Sequence, residues 1–407
     1  MIRSIFKRLL KGRGRRNVLL LELLLSFLAF FLILAFVLRL LDNERQPMGF
    51  AYQNLYKVSV EHLAEVEGMK TEDRLESLRN YLRHYPGVET YAESMSSFYF
   101  QKGYLVMSSP LTYKETSLPN DQVHQFLADD DFQEAMQIRM LEGRWFNETD
   151  NASPHRPVVL SESLKNRLFG ENSPLGEQLG YSDYTVVVVG VYRDFKHKGD
   201  FTQIEPTLIL RQVNLENLPY ETYWGMNGSY CGPTNILRAR GDVPPGFAAE
   251  LTREVATNFP GMEVSFSPME KLREQYIRKT WLPLVLVFSV VLALFLNVLF
   301  GLFGVLWYNI SMRRSEIGLR MAVGASKRHI QTQFLLEMLV LTTLALVPGL
   351  ILAAQAPLLH LFDIHTAVYL LAMVLAALLI YLLVTLCVLL PSTQAARIRP
   401  ALALHDE

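Results

Sequence analysis

A short charged segment between two apolar runs carries the clearest chemical pattern in this chain. It reads SMRRSEIGLRMAVGASKRHI, residues 311–330. On a helix, Glu316 and Arg320 are four residues apart and share one face, where they can form directional ion pairs with a partner. Ile317 adds an apolar side chain beside them, and Gly324 permits a turn or the close approach of another chain. This combination indicates a surface on which another protein docks.

Patterns for catalysis, cofactors and metals are weak in the sequence. No Ser-His-Asp or Cys-His arrangement has local motif support, and no Gly-x-x-x-x-Gly-Lys-Ser/Thr phosphate loop occurs. His360, Asp363 and His365 are close in sequence, but such a set binds a metal only where its geometry converges with further ligands. We therefore expect a non-catalytic chain without catalytic, cofactor-binding or metal-binding residues.

Four apolar runs are long enough to cross a bilayer as helices, for which about 20 residues suffice. Helices are favoured because a spanning segment must satisfy its own backbone groups. The runs cover residues 18–41, 281–308, 334–356 and 367–390. The predicted fold class is an α-helical membrane protein with four transmembrane helices and a large extracytoplasmic α+β domain, residues 42–280, inserted between the first and second helices.

The distribution of Lys and Arg predicts the orientation, because basic residues concentrate in short cytoplasmic segments. They fill the tail of residues 1–17, the segment 309–333 and the tail 391–407, whereas the short outer loop 357–366 contains none. We expect both termini and the segment 309–333 in the cytoplasm, and the domain 42–280 on the other side.

Some of these basic residues have a simpler explanation. For Arg313 and Arg314, enforcing the topology is as good an account as contact with a partner. Topology and anionic lipid also account for the basic N-terminal tail, so we expect a membrane-lipid contact there and no nucleic-acid partner. We expect the first run to remain as an anchor, because it exceeds the roughly 7–15 apolar residues of a signal peptide.

Within residues 42–280, helix and strand patterns alternate, and we expect two α+β subdomains. Thr71 begins a helical pattern that stops at Pro86. A second helix is predicted over 244–259, between strands at 235–240 and 262–268, an order typical of an α+β layer. The valine-rich stretch YTVVVVGVYRDF predicts a buried strand.

In the second apolar run, three residues are candidates for helix packing. Gly301 and Gly304 would let the helix approach a neighbour closely, although their spacing is one residue short of Gly-x-x-x-Gly. Asn297 would add a hydrogen bond between helices.

Several of these segments resemble a known family. RRSEIGLRMAVGASKRHIQTQFLLEMLVL and the closing PSTQAARIRPALALHDE resemble the FtsX-like permeases of ABC transporters. EGRWFNETD, PVVLSESLKNRLFG, SPLGEQLG and VVVVGVYRDF resemble the MacB-like periplasmic core domain. The resemblance covers nearly the whole chain, in order.

The resemblance implies mechanical work in a bacterial inner membrane. Family members are dimeric permeases with a cytoplasmic ATPase on each half, and ATP binding moves their outer domains. In several members the substrate stays on the outer side, an action called mechanotransmission. The ATPase-coupling residues that the resemblance implies here are Arg313, Glu316, Ile317, Gly318, Arg320, Gly324 and Ala325.

From this resemblance we expect a permease subunit that uses ATP hydrolysed by a separate cytoplasmic ABC ATPase to export or extract a substrate. It would form a homodimer or a heterodimer with a related permease. The aromatic loop 220–235 is either a contact for extracytoplasmic cargo or a partner, or a turn with core aromatics. Two alternatives stay open: an FtsX-type regulator that activates an extracytoplasmic cell-wall hydrolase, and a membrane-anchored ligand sensor without an ATPase.

Overall fold

The structure is a computed structural model that describes residues 13–63, 70–95, 110–119, 122–181, 184–212, 234–312, 323, 326–359 and 365–395. The chain divides into two compact units. Met1–Asp42 and Trp281–Glu407 form the helical unit, and Asn43–Thr280 form the sheet unit.

The described elements follow one another in a regular order. They are α1 (Arg13–Arg45), β1 (Leu55–Leu63), α2 (Thr71–Arg83), β2 (Val88–Met95), β3 (Leu111–Tyr113), β4 (Thr116–Leu118), β5 (His124–Ala128), α3 (Phe132–Met136), β6 (Met140–Gly143), a 3-10 helix (Glu148–Ala152), β7 (Arg156–Ser161), α4 (Glu162–Phe169), β8 (Gln178–Tyr181), β9 (Tyr184–Tyr192), β10 (Thr207–Arg211), β11 (Thr234–Ala239), α5 (Phe247–Asn258), β12 (Met262–Pro268), α6 (Met269–Met312), α7 (Lys327–Ala353), α8 (Gln355–Leu358) and α9 (Thr366–Ala395).

Three described helical stretches are long and apolar enough to cross a bilayer: Asn17–Arg45, Arg328–Leu358 and Thr366–Val388. The predicted second span, 281–308, lies in α6, whose described apolar stretch is the shorter Val285–Gly301. The structure thus contains membrane-spanning helices, and the count of four stays a prediction.

Aromatic side chains and a glycine form the centre of the helical unit. Phe27 and Phe31 of α1 are buried with Tyr369 of α9, and the ring centroids of Phe31 and Tyr369 are 6.4 Å apart. Gly349 of α7 lies against Phe27, where a Cβ would be 2.7 Å from ring atom Cδ1. The absence of a side chain at Gly349 therefore lets α7 approach α1, as small residues do between membrane helices.

The sheet unit is built on one hydrogen-bonded sheet of the twelve described strands. Its order is β12-β1-β11-β2-β5-β10-β7-β9-β8-β3-β4, and β6 pairs with β9. Two of the pairs, β5 with β10 and β7 with β9, are parallel. Parallel strands need a crossover, and α4 follows β7 directly, with the Ser161 hydroxyl accepting a hydrogen bond from Leu164 N at 3.3 Å.

Local patterns agree well with these elements. The predicted strand 262–268 is β12, and the valine-rich stretch is β9, whose Val186 and Val188 are buried. The predicted helices are α2 and α5, which pack on β1, β11 and β12 in one apolar cluster.

A buried guanidinium forms hydrogen bonds with the chain that follows α1. Arg238 of β11 is 3% exposed, and burial lowers the pKa of its side chain. Its nitrogens donate to three backbone carbonyls: Ala135 at 2.5 Å, Gln53 at 3.0 Å and Ala51 at 2.6 Å. The side chain thus joins β11, α3 and the segment before β1.

Gly349→Ala tests the close packing of α7 on α1. We expect a loss of about 1–3 kcal/mol, because the new methyl group overlaps a buried ring that has little room to move. Thermal unfolding of the purified full chain in detergent measures this. Gly304→Ala is the control, since a Cβ there meets no described atom within 4 Å. Equal midpoints of thermal unfolding for the two variants would contradict the close packing of α7 on α1.

Arg238→Met tests the buried guanidinium. We expect about 3 kcal/mol of destabilisation, because three carbonyls lose a charged donor. The midpoint of thermal unfolding should fall by several degrees. Arg240→Met, at an exposed position on the same strand end, should leave it unchanged. A fall of the same size in both variants would mean that the bonds from Arg238 add nothing specific.

Candidate functional site

The predicted coupling residues lie outside the described residues. These are Arg313, Glu316, Ile317, Gly318, Arg320, Gly324 and Ala325. The continuous described chain resumes at Ser326, whose side chain caps α7 by accepting a hydrogen bond from His329 N at 3.3 Å. A serine N-cap is a strong helix start, so α7 begins directly after the predicted segment.

The three predicted packing residues on α6 differ in their surroundings. A Cβ on Gly301 would overlap the Glu22 carboxylate of α1. A Cβ on Gly304 would meet no described atom, and Asn297 is exposed. Their role in packing stays a prediction.

The segment of residues 195–202, between β9 and β10, makes hydrogen bonds and an ion pair to both α1 and α6, and we call it the clasp. Lys196 is only 1% exposed. Its ammonium donates to the carbonyl of Asn43, in the last turn of α1, and to the carbonyl of Asp200 at 2.8 Å. Asn43 Nδ2 in turn donates to the carbonyl of Phe201 at 3.0 Å. The clasp and the end of α1 are therefore joined in both directions.

The same segment holds the beginning of α6. The Arg273 guanidinium donates to both carboxylate oxygens of Asp200, at 2.5 Å from Nη2 to Oδ1 and 3.1 Å from Nε to Oδ2. The hydrogen bond to Asp200 raises the pKa of Arg273. Arg273 also lies over the Tyr52 ring, 4.5 Å from its centroid, where a cation interacts favourably with the ring face.

Gly199 lets the clasp pass close to α6. Its φ is +121°, a conformation that favours glycine. A Cβ at this position would overlap the Tyr276 ring. The clasp thus contacts α6 at Arg273 and again one turn later.

Among the described residues, the donors that come closest to a metal-binding arrangement are His124, His197 and Glu205. Their ligand atoms lie within 4.8 Å of one another. The metal set that the sequence suggested and that we set aside, His360, Asp363 and His365, is described only at His365.

Sequence reasoning did not find the clasp. The one available signal was the run of charged and polar residues that follows the long strand β9, in DFKHKGDF. Nothing local connects that stretch to Asn43 or Arg273, because these contacts depend on the tertiary fold.

Comparison with known proteins covers both units of the chain. Residues 20–252 match the MacB-like periplasmic core domain, and residues 286–400 match the FtsX-like permease C-terminal region.

Individual relatives share about a quarter of their residues with this chain. The macrolide export ATP-binding/permease protein MacB 1/2 of Paracoccus denitrificans is 26% identical over 221 residues, which are 53% of this chain and 31% of that protein. The uncharacterized ABC transporter permease YvrN of Bacillus subtilis is 25% identical over 295 residues, which are 69% of each chain. The chain therefore spans about a third of the length of the first relative.

Among solved structures, the periplasmic region of MacB from Actinobacillus actinomycetemcomitans is 18% identical, covering 57% of this chain and 97% of that one. The TM-score is 0.36. The core-domain match alone covers residues 20–252, more than half of the 407 residues. This chain belongs to the family of MacB-like, FtsX-like ABC transporter permeases.

Proposed function

We propose that this chain is the permease subunit of an ABC-type transporter or mechanotransmission complex. It uses ATP hydrolysed by a separate cytoplasmic ATPase to move its extracytoplasmic domain, and that motion exports or extracts a substrate. Both termini and the segment 309–333 lie in the cytoplasm, and two permease subunits work as a dimer.

The clasp is the observation that carries this proposal. It binds Asn43 of α1 and Arg273 of α6 with hydrogen bonds and an ion pair. Each of these helices continues past the boundary of the sheet unit, α1 from Arg13 and α6 as far as Met312. A shift along either helix therefore acts on the same eight-residue segment, residues 195–202.

The ATPase binds to the segment 309–333. Glu316 and Arg320 supply paired charges and Ile317 an apolar contact, a combination that can bind a complementary surface of the ATPase. One relative, MacB 1/2 of Paracoccus denitrificans, is called an ATP-binding/permease protein, so its name joins ATP binding to a permease. Such a pairing assigns ATP to the partner and leaves this chain non-catalytic.

Glu316→Lys tests the docking surface. The chain, carrying an affinity tag, is solubilised from its native membrane in mild detergent, and co-purifying proteins are identified by mass spectrometry. We expect an ABC ATPase to co-purify with the unchanged protein and to be lost from the variant. The reversed charge would repel a basic group of the ATPase that pairs with Glu316. Glu115→Lys, the same exchange at an exposed turn between β3 and β4, should retain the ATPase.

Each other result of this experiment decides a separate question. If no ATPase accompanies the unchanged protein, the proposed function is wrong and the ligand sensor becomes the better account. If a cell-wall hydrolase co-purifies with the ATPase, the regulator is favoured over a transporter. If the ATPase remains with Glu316→Lys, the docking residue is wrong while the permease function stands.

Asp200→Asn tests transmission through the clasp. The amide keeps the size of the side chain but loses the charge that pairs with Arg273, so α6 should move with less effect on the sheet unit. A fluorophore on Ser153→Cys, in a chain with Cys231→Ser and Cys387→Ser, reports ATP-dependent motion of the reconstituted complex. We expect the ATP-dependent fluorescence change to fall several-fold in Asp200→Asn while the ATPase stays bound.

The control for this experiment is Glu274→Gln on the same helix. Its partner Arg278 is 76% exposed and their contact is 2.7 Å, and such surface pairs contribute little. An unchanged signal in Asp200→Asn, or an equal fall in Glu274→Gln, would show that motion does not pass through the Asp200–Arg273 pair.

A further inference from the structure

Two histidines and a glutamate meet beside the clasp, and the permease function gives them no role. His124 is the first residue of β5 and Glu205 lies just before β10. Parallel pairing of these strands sets His124 opposite Thr207, and His124 N donates to the carbonyl of Pro206 at 3.0 Å. The fold thus fixes the main chain of both residues at one end of two neighbouring strands.

His197 of the clasp completes the group. Its ring packs on His124, with centroids 4.8 Å apart, and edge-on against Phe126 at 5.3 Å. Nε2 of His197 is 3.3 Å from Glu205 Oε2, and Nε2 of His124 is 2.6 Å from the same oxygen. Two imidazoles from two parts of the chain therefore converge on one carboxylate oxygen of a third.

The group has unused coordinating capacity. The His197 side chain is 5% exposed, and its Nδ1 is buried without a hydrogen-bond partner in the part of the chain that the structure describes. A buried polar atom without a partner is costly. A neutral imidazole has one nitrogen lone pair that can bind a metal ion.

Glu205 supplies the negative charge. Its Oε2 lies 2.6 Å from His124 Nε2, 3.3 Å from His197 Nε2 and 2.6 Å from Lys198 Nζ, so three nitrogen atoms surround one carboxylate oxygen. An ionised carboxylate and neutral imidazoles are the forms in which these residues bind metals.

A cation already lies among these donors. Lys198 Nζ is 2.6 Å from Glu205 Oε2 and 3.1 Å from His124 Nε2. The lysine side chain is 44% exposed, so its flexible stem can swing into solvent. The position of the ammonium shows that the geometry accepts a positive charge between the imidazole and the carboxylate.

We propose that His124, His197 and Glu205 form a binding site for a divalent first-row transition ion such as Zn²⁺, which displaces the ammonium of Lys198. Two imidazole nitrogens and a carboxylate oxygen are ligands of the kind zinc takes, and three protein ligands with an open position are a usual zinc arrangement. Bonds of about 2.1 Å place tetrahedral ligands about 3.4 Å apart, and the donors now span up to 4.8 Å. Small side-chain movements therefore suffice to coordinate the ion.

This site goes beyond the permease function and does not depend on an ATPase. His197 lies between Lys196 and Asp200, the two residues through which the clasp holds Asn43 and Arg273. An ion bound to His197 would fix the middle of the clasp to strands β5 and β10. Occupancy of the site thus sets how stiffly the clasp is attached to the sheet.

Titration of the full chain with Zn²⁺ tests the proposal. The protein is purified in detergent with a tag that contains no histidine, stripped with a chelator, and titrated by calorimetry. Co²⁺ then gives a visible absorption spectrum that reports the coordination, and Zn²⁺ should abolish it by competition. We expect one ion per chain and a rise in the midpoint of thermal unfolding when Zn²⁺ is present.

Substitutions locate the ion. His124→Ala and Glu205→Gln should each weaken Zn²⁺ binding at least about tenfold, the effect that loss of even an indirect partner has at metal sites. Both residues are partly exposed, so these variants keep the proposal testable if the buried His197→Ala fails to fold. Lys198→Met should bind Zn²⁺ more tightly, because the competing ammonium is gone.

His84→Ala is the matched control, since His84 is an exposed histidine of the sheet unit at the end of α2. This variant should leave the Zn²⁺ affinity and the Co²⁺ absorption spectrum unchanged. Absence of Zn²⁺ binding by the unchanged protein would overturn the proposal. So would equal affinity in His124→Ala and Glu205→Gln, or a weaker affinity in Lys198→Met.

Discussion

The buried ammonium of Lys196 is the interaction on which the path of the clasp depends. A lysine that is 1% exposed has lost its hydration, which costs several kcal/mol unless other dipoles replace the water. The carbonyls of Asn43 and Asp200 replace it. A clasp displaced from these two carbonyls would lose both hydrogen bonds, so the ammonium links Asn43 to the segment that contains Asp200.

Much of the regular structure was predictable because it follows from local patterns. The valine run gives β9, and the strand predicted at 262–268 agrees with β12, Met262–Pro268. Side-chain partners were not predictable in this way. Lys196 and Asn43 are far apart in sequence, and no local rule assigns a lysine to one particular carbonyl. His124 and Glu205 likewise meet only because β5 and β10 pair in parallel.

In the helical unit, too, local patterns did not predict which residues pack against each other. Glycine spacing drew attention to Gly301 and Gly304, yet only one of them faces a described side chain. Gly349 lies against Phe27 without belonging to any spacing motif, because close approach depends on which helix stands opposite. The coupling residues around Glu316 were reached through family resemblance and through the i,i+4 rule, which needs no tertiary information.

The pairing of β1 has a consequence for how the protein is made. This first strand, Leu55–Leu63, hydrogen-bonds to β11 and β12, the last two described strands of its sheet. Contacts of such long sequence separation form slowly, because the intervening chain must be ordered first. During synthesis, β1 therefore stays an unpaired edge until residues 234–268 have been delivered to the same compartment. An exposed edge invites wrong pairing, so the longer β11 and β12 are delayed, the longer β1 is open to it.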